Sequence, residues 1–172
     1  WAWNNALPAA ITIRSLEENN MFHPHYDVVH KTYYYHLFFE RPMPFYARYG
    51  TFIPYTVDLE QFERALQLFK GTHDFTAFYT GNDREDAVRT IETIRFYYFE
   101  QYRAYRVEIV GNKFLRHMIR RIIGAALAAA SRDSISEHDI TTALATQKVN
   151  CELPTAPAQG LLLQAILYKE IT

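Results

Sequence analysis

The run from Val110 to Leu127, VGNKFLRHMIRRIIGAAL, constrains this chain most, because a β-rich segment passes there into a helix with two unlike sides. At about 100° per residue, Lys113, Arg116, His117, Arg120 and Arg121 share one side. Phe114, Leu115, Met118, Ile119, Ile122 and Ile123 occupy the other. One side packs into a core and the other meets an anion. A solvated charged face on an ordinary core helix is the plain alternative, so the surrounding sequence has to decide.

That sequence is rich in strand formers, with 13 Tyr and 12 Phe. Extended segments are expected at Ile11 to Leu16, Lys31 to Glu40, Thr90 to Glu100, Tyr105 to Val110 and Leu161 to Tyr168. The third and fourth flank a short polar connection, Gln101-Tyr102-Arg103, and read as an antiparallel hairpin. Asp58 is an N-cap candidate for a helix through Lys70, with Phe62, Leu66 and Phe69 on one side and Gly71 as its stop. Gly111-Asn112 turns the chain into the basic helix, and Ser136 opens a short helix toward Thr146. Prolines 42, 44 and 54 punctuate the stretch after Glu40, and Gly81 to Asp86 reads as a charged loop. With no repeat and no linker, residues 1–172 are expected to form one α+β domain, an antiparallel sheet of mixed order packed against helices.

Composition bounds the partners. The 172 residues are 49% hydrophobic and can bury one substantial core. Eighteen Lys and Arg against 19 Asp and Glu exclude a polycationic coat, so any RNA contact must come from local concentration of charge. Cys151 is alone, which excludes an intrachain disulfide and a cysteine-based zinc site and suits a reducing interior. The apolar stretches Ile122 to Ala130 and Gly160 to Leu167 fall short of the ~20 residues that span a bilayer. A cytoplasmic protein without membrane residence is therefore expected. His23, His25 and His30 tempt a metal reading, but without a third placed ligand or carboxylate they make a weak site, and no metal is expected. Gly71, Gly81, Gly111 and Gly124 are too dispersed for a phosphate loop. No Gly-x-Ser-x-Gly elbow and no cysteine beside a histidine base supports a hydrolase.

Several short motifs recur in a distinctive order. They are NNALP at Asn4 to Pro8, K-T-Y-Y-Y at Lys31 to Tyr35, GTHDFTAF at Gly71 to Phe78, RTI at Arg89 to Ile91, and APAQGLLL at Ala156 to Leu163. With them stands a Phe-Leu-x-His-Met-x-Arg-x-Ile-x-Gly pattern, met by Phe114, Leu115, His117, Met118, Arg120, Ile122 and Gly124. Together they closely resemble the tRNA pseudouridine synthase A family over nearly the whole chain.

The resemblance implies the pseudouridine synthase fold, of which this chain would be the larger C-terminal share. It also implies isomerisation of uridine to pseudouridine in the anticodon stem-loop of tRNA, by a homodimer and without cofactor. Tyr33 would contact the base, and Leu115 or Phe114 would wall its pocket. Arg120 would hold and ionise the nucleophilic Asp through a two-pronged pair. Lys113, Arg116, His117 and Arg121 would serve RNA binding, with Arg89 as a phosphate or structural contact. His73 and Asp74 would be structural or face RNA.

The departures matter as much. The family's nucleophile lies in a Gly-Arg-Thr-Asp-x-Gly-Val-His loop upstream of the NNALP stretch, and no aspartate of this sequence matches it: Arg89-Thr90 runs on to Ile91, and Arg132-Asp133 lacks the flanking residues. His25 and Asp27 stand where the family commonly has Arg and Ser. The isolated chain is therefore expected to be inactive. The competing expectation is a noncatalytic RNA-binding or dimerisation module derived from such an enzyme.

Overall fold

Residues 2–81, 86–131, 135–148 and 153–169 are described by the computed structural model of the chain. Cys151, the centre of the Gly81 to Asp86 loop and Arg132-Asp133 lie outside the described residues. After a short helix α1 (Ala2–Ala6), the chain forms β1 (Val28–Phe38), β2 (Thr51–Phe52), α2 (Leu59–Gln67), β3 (Gly71–Asp74), β4 (Val88–Phe99), β5 (Ala104–Gly111), α3 (Met118–Ser131), α4 (Glu137–Thr146) and β6 (Leu161–Tyr168).

The strands make one sheet of order β2-β1-β5-β4-β3, with β6 also paired to β1. Strand β1 is its axis. It pairs antiparallel with β5, placing Tyr33 opposite Ile109 and Tyr35 opposite Val107. Its other edge takes β6 antiparallel along Val28 to Tyr35 and β2 parallel at Leu37 and Phe38. Because strand side chains alternate, Tyr35, Leu37, Val107, Ile109 and Ile94 all enter the buried core shared with the helices. The architecture is α+β, as the periodicity predicts.

Local chemistry explains the helices. Asp58 accepts from the Gln61 N–H at 3.0 Å and opens α2, which buries Phe62, Ala65 and Leu66. Each such large side chain adds about 1.5–3 kcal/mol over an exposed one. Gly71, at φ +109°, ends the turn that follows and begins β3 in a conformation that L side chains rarely adopt. Ser136 and Asp139 form a reciprocal capping box at the start of α4. Helix α3 is buried from Ile122 to Ala130. Neighbouring backbone comes close at Gly124, where a Cβ would lie 2.1 Å from the Pro154 carbonyl oxygen.

The sheet's other face carries Tyr34, His36, Arg106 and Phe99. The Arg106 guanidinium stands 3.5 Å from the Phe99 ring centre and 4.2 Å from that of Tyr34. Its Nε donates to His36 Nε2 at 2.9 Å. The Tyr49 carbonyl, 3.0 Å from His36 Nδ1, can only accept, so Nδ1 carries the proton of a neutral ring. Burial and then the Arg106 charge hold this imidazole below its ordinary pKa.

Two expectations are corrected. Ile11 to Leu16 is not a strand: Ile11 and Leu16 are exposed, and the Asn4 side chain clasps Ile13 instead, donating to its carbonyl at 3.0 Å and accepting from its N–H at 2.8 Å. A two-point side-chain clasp replaces a ladder there. The basic helix does not begin at Lys113 but at Met118, so the single charged face drawn from Lys113 to Arg121 is not formed. Its wheel spans a turn.

Candidate active site

The turn from β5 into α3 is the centre of the site. At Gly111 an added Cβ would lie 2.5 Å from the Thr90 carbonyl, so only glycine lets β5 finish this close to β4. Asn112 Oδ1 then accepts from the Lys113 N–H at 2.7 Å, tightening the turn. His117 adopts a left-handed φ of +61° and its carbonyl accepts from the Arg121 N–H at 3.0 Å, which starts the α3 ladder. The turn is anchored from outside as well: His117 Nδ1 lies 2.6 Å from Thr80 Oγ1, and the Thr80 N–H donates to the Arg116 carbonyl at 3.1 Å. Desolvation, then the charges of Arg120, Arg116 and Arg121, lower the His117 pKa, so its ring is neutral near pH 7.

Two cavities flank this turn. The smaller, about 220 Å³, is lined by Tyr33, Phe114, Leu115, Arg116, His117, Met118, Ile119 and Leu161. The Tyr33 and Phe114 rings meet edge to face at 5.2 Å and 78°. Burial raises the Tyr33 pKa, which keeps its phenol protonated and available as a donor. The larger, about 720 Å³, is lined by His25, Lys31, Tyr79, Thr80, Gly81, Arg89, Lys113, Phe114, Leu115 and Arg116. Phe114, Leu115 and Arg116 belong to both walls.

The arginines beyond the turn separate. Arg120 donates from Nε to the Ala156 carbonyl at 2.7 Å, and the Ala156 N–H returns a bond to the Arg120 carbonyl at 3.0 Å. This reciprocal clip holds the segment after Leu153 against α3, on the surface that Gly124 leaves open. The same segment is tied to β1 by the Tyr35 hydroxyl, which donates to the Pro157 carbonyl at 2.7 Å and lies 2.9 Å from Thr51 Oγ1. No carboxylate among the described residues forms an ion pair with the Arg120 guanidinium. Arg121 turns elsewhere, donating from Nη1 to the Tyr79 carbonyl at 2.8 Å.

Of the residues that the sequence singles out, Tyr33, Leu115, Arg116 and His117 thus share the small cavity, and Lys113, Arg116 and Arg89 the large one. Arg120 stands on the first turn of α3 and lines neither; Arg121 braces the Tyr79 loop. Arg89 Nη1 also donates to the Asp86 and Val88 carbonyls, both at 2.7 Å. His73 and Asp74 are local ties, His73 Nε2 lying 3.0 Å from the Lys70 carbonyl and Asp74 Oδ1 accepting from the Thr76 N–H at 2.8 Å. His30 faces Glu92 at 3.4 Å, while His23 Nδ1 accepts from the backbone N–H groups of His25 and Tyr26 at 3.2 Å each. Among the described residues no group of three His, Cys, Asp or Glu could hold a metal ion, and no helix is long and apolar enough to cross a membrane. Sequence reasoning missed Lys31, Tyr79 and Thr80 as parts of the site; only Lys31 had a signal, its place at the head of the K-T-Y-Y-Y motif.

A profile of the family described as tRNA pseudouridine synthase matches residues 65–169, from within α2 through β6. The chain belongs to this family. It is 33% identical over 169 residues to the tRNA pseudouridine synthase A of Thermotoga neapolitana, a match covering 97% of this chain and 68% of that protein. Against tRNA pseudouridine synthase A 1 of Bacillus cereus the identity is 34% over 175 residues, covering 98% and 70%. The corresponding protein of Thermodesulfovibrio yellowstonii is 32% identical over 178 residues, covering 96% and 69%. The matched part of these tRNA pseudouridine synthases is their C-terminal portion. The turn, the Arg120 clip and most of the residues lining both cavities fall inside the family match, while the cavity residues His25, Lys31 and Tyr33 lie on its N-terminal side.

Proposed function

We propose that the protein to which this chain contributes isomerises uridine to pseudouridine in the anticodon stem-loop of tRNA, as a cytoplasmic homodimer. The observation that carries this reading is the Arg120 clip. Its Nε is spent on the Ala156 carbonyl, which fixes the plane of the guanidinium on the first turn of α3, beside the turn that walls the Tyr33 cavity. A planar fork held in this way orients a carboxylate and keeps it ionised. No aspartate of the sequence matches the family nucleophile, so that carboxylate comes from polypeptide beyond these 172 residues.

The chemistry is a redistribution of bonds on one nucleoside. The carboxylate attacks the sugar carbon as its bond to N1 breaks, the base turns, and C5 bonds to that carbon as the carboxylate leaves with its electron pair; C5 gives up its proton and N1 gains one. Nothing is oxidised. Tyr33 presents a protonated phenol and a ring edge to the base, and Leu115 and Phe114 supply the apolar wall. Lys113 and Arg116 attract phosphate, with Arg89 beside them in the same cavity.

The test is single-turnover pseudouridine formation on an unmodified anticodon stem-loop, with this chain and with a chain extended by a family Gly-Arg-Thr-Asp segment. The chain as given should form none, and the extended chain should turn over. In the extended chain Arg120→Lys should lower the rate at least 10-fold while leaving RNA affinity within about 3-fold, because lysine keeps charge and loses the fork. Full activity of Arg120→Lys would sink the reading. RNA binding by the extended chain without any turnover would favour the noncatalytic module instead.

A further inference from the structure

The two cavities share one wall, and that arrangement assigns the larger one. We infer that the 720 Å³ cavity receives the nucleotide covalently next to the target uridine, its phosphate on Lys31 and its neighbouring cations and its base against Phe114 and Tyr79. This rests on the proposed function, since the smaller cavity must hold the uracil. Its volume of 220 Å³, with Tyr33 and Phe114 set edge to face, suits one planar base. The wall between the two is the three-residue stretch Phe114 to Arg116. A nucleotide whose base sits on one side has its neighbour one phosphodiester away, on the other.

The chemistry of the larger cavity matches such a guest. Lys31 arrives from β1, Arg89 from β4, and Lys113 and Arg116 from the turn, so three separate parts of the fold converge their cations on one space. No Asp or Glu is among its described lining residues, although the chain as a whole carries a net charge of −1. A volume of 720 Å³ lies in the usual range for ligand sites, about 300–1,000 Å³. The wall includes the aromatic residues Phe114 and Tyr79 as well as cations, and base stacking on an aromatic ring accepts any base. The cavity therefore selects for an unstacked neighbour more than for its identity.

The experiment uses the chain as it exists and binding alone. Fluorescence anisotropy is measured with an anticodon stem-loop RNA and with two versions, one abasic at the target and one abasic at the adjacent nucleotide, on whichever side has the larger effect. An abasic neighbour should weaken binding roughly 5- to 100-fold. Tyr79→Ala, checked by urea unfolding, should weaken the intact RNA and erase most of that difference. Lys31→Ala should lower the slope of log affinity against log salt by about one, with Lys31→Arg restoring it. An abasic neighbour that binds like intact RNA, while an abasic target binds worse, overturns this inference and leaves the proposed function standing. No binding of the stem-loop by the folded chain overturns this inference and leaves the proposed function to its own turnover test.

Discussion

Gly124→Ala tests the clip that the functional reading depends on. In the interior of a helix this change ordinarily stabilises by about 0.5–1 kcal/mol. Here the new Cβ would lie 2.1 Å from the Pro154 oxygen and 2.8 Å from its carbonyl carbon, both backbone atoms. Ordinary contact begins at 3.4 Å, so helix and strap must part by about 1.3 Å. That displacement breaks the Arg120 Nε bond to the Ala156 carbonyl, now 2.7 Å, and strains the returning Ala156 N–H bond, now 3.0 Å. Overpacking costs about 1–3 kcal/mol and each lost hydrogen bond about 0.5–1.5. After the helix gain is subtracted, the net loss is about 0.5–4 kcal/mol. For a chain of this size that lowers Tm by roughly 1–16 °C. Urea and thermal unfolding of the two chains read it directly. A Gly124→Ala chain as stable as the parent would refute the close approach and, with it, the fixed Arg120 plane.

Two further outcomes follow from buried polar groups. Tyr35→Phe leaves the Pro157 carbonyl and the Thr51 hydroxyl without their shared partner and should cost about 1–3 kcal/mol by urea midpoint; an unchanged midpoint would remove this tie from the site, and in the parent the Tyr35 phenol, pushed up to about 12 by burial, should resist ultraviolet titration until then. His36 has a pKa lowered from 6.5 in the fold, so the unfolded chain binds its proton more readily: the stability it contributes is complete above about pH 6.5 and is lost as pH falls through the lower folded value. Urea unfolding at two pH values on either side of this window should show a smaller acid loss in His36→Gln than in the parent, the remainder including the like-signed share of His117; equal losses would dismiss the neutral His36 bridge.

Much of the fold was legible because its signals are local. Alternation in K-T-Y-Y-Y-H-L-F sets which tyrosines enter the core, and the structure buries Tyr35 and Leu37 while leaving Tyr34 on the other face with Arg106. Asp58 and Ser136 cap as their chemistry directs. Failure came where a local pattern met a tertiary contact. The strand reading of Ile11 to Leu16 had alternation in its favour, but an edge needs a neighbour, and Asn4 provides a clasp instead. Strand β3 was hidden because four residues, GTHD, carry little pattern of their own; it pairs antiparallel with β4, where the Thr72 and Thr90 hydroxyls lie 2.8 Å apart. The site's residue types were legible from motif spacing, but which of them share a cavity was not.

The helical wheel fails at His117 for a reason that bears on the chemistry. Had the helix run on from Lys113, Lys113, Arg116, Arg120 and Arg121 would have formed one continuous stripe, and their mutual repulsion would have been relieved only by water. The left-handed His117 breaks the stripe. Lys113 and Arg116 fall back over the large cavity, Arg120 moves to the Ala156 side, and Arg121 is drawn to Tyr79. The four cations thereby go to three places within one short stretch. The break also brings the N-terminal end of α3, with its partial positive charge, to the same turn that walls both cavities. A near-neutral chain thus concentrates positive potential at one place, where local charge and not net charge governs attraction to phosphate. His117, pinned to Thr80 at 2.6 Å, responds to this crowding: a charged imidazole there would add a further cation among Arg116, Arg120 and Arg121, and desolvation followed by those charges displaces its pKa downward, toward the neutral ring.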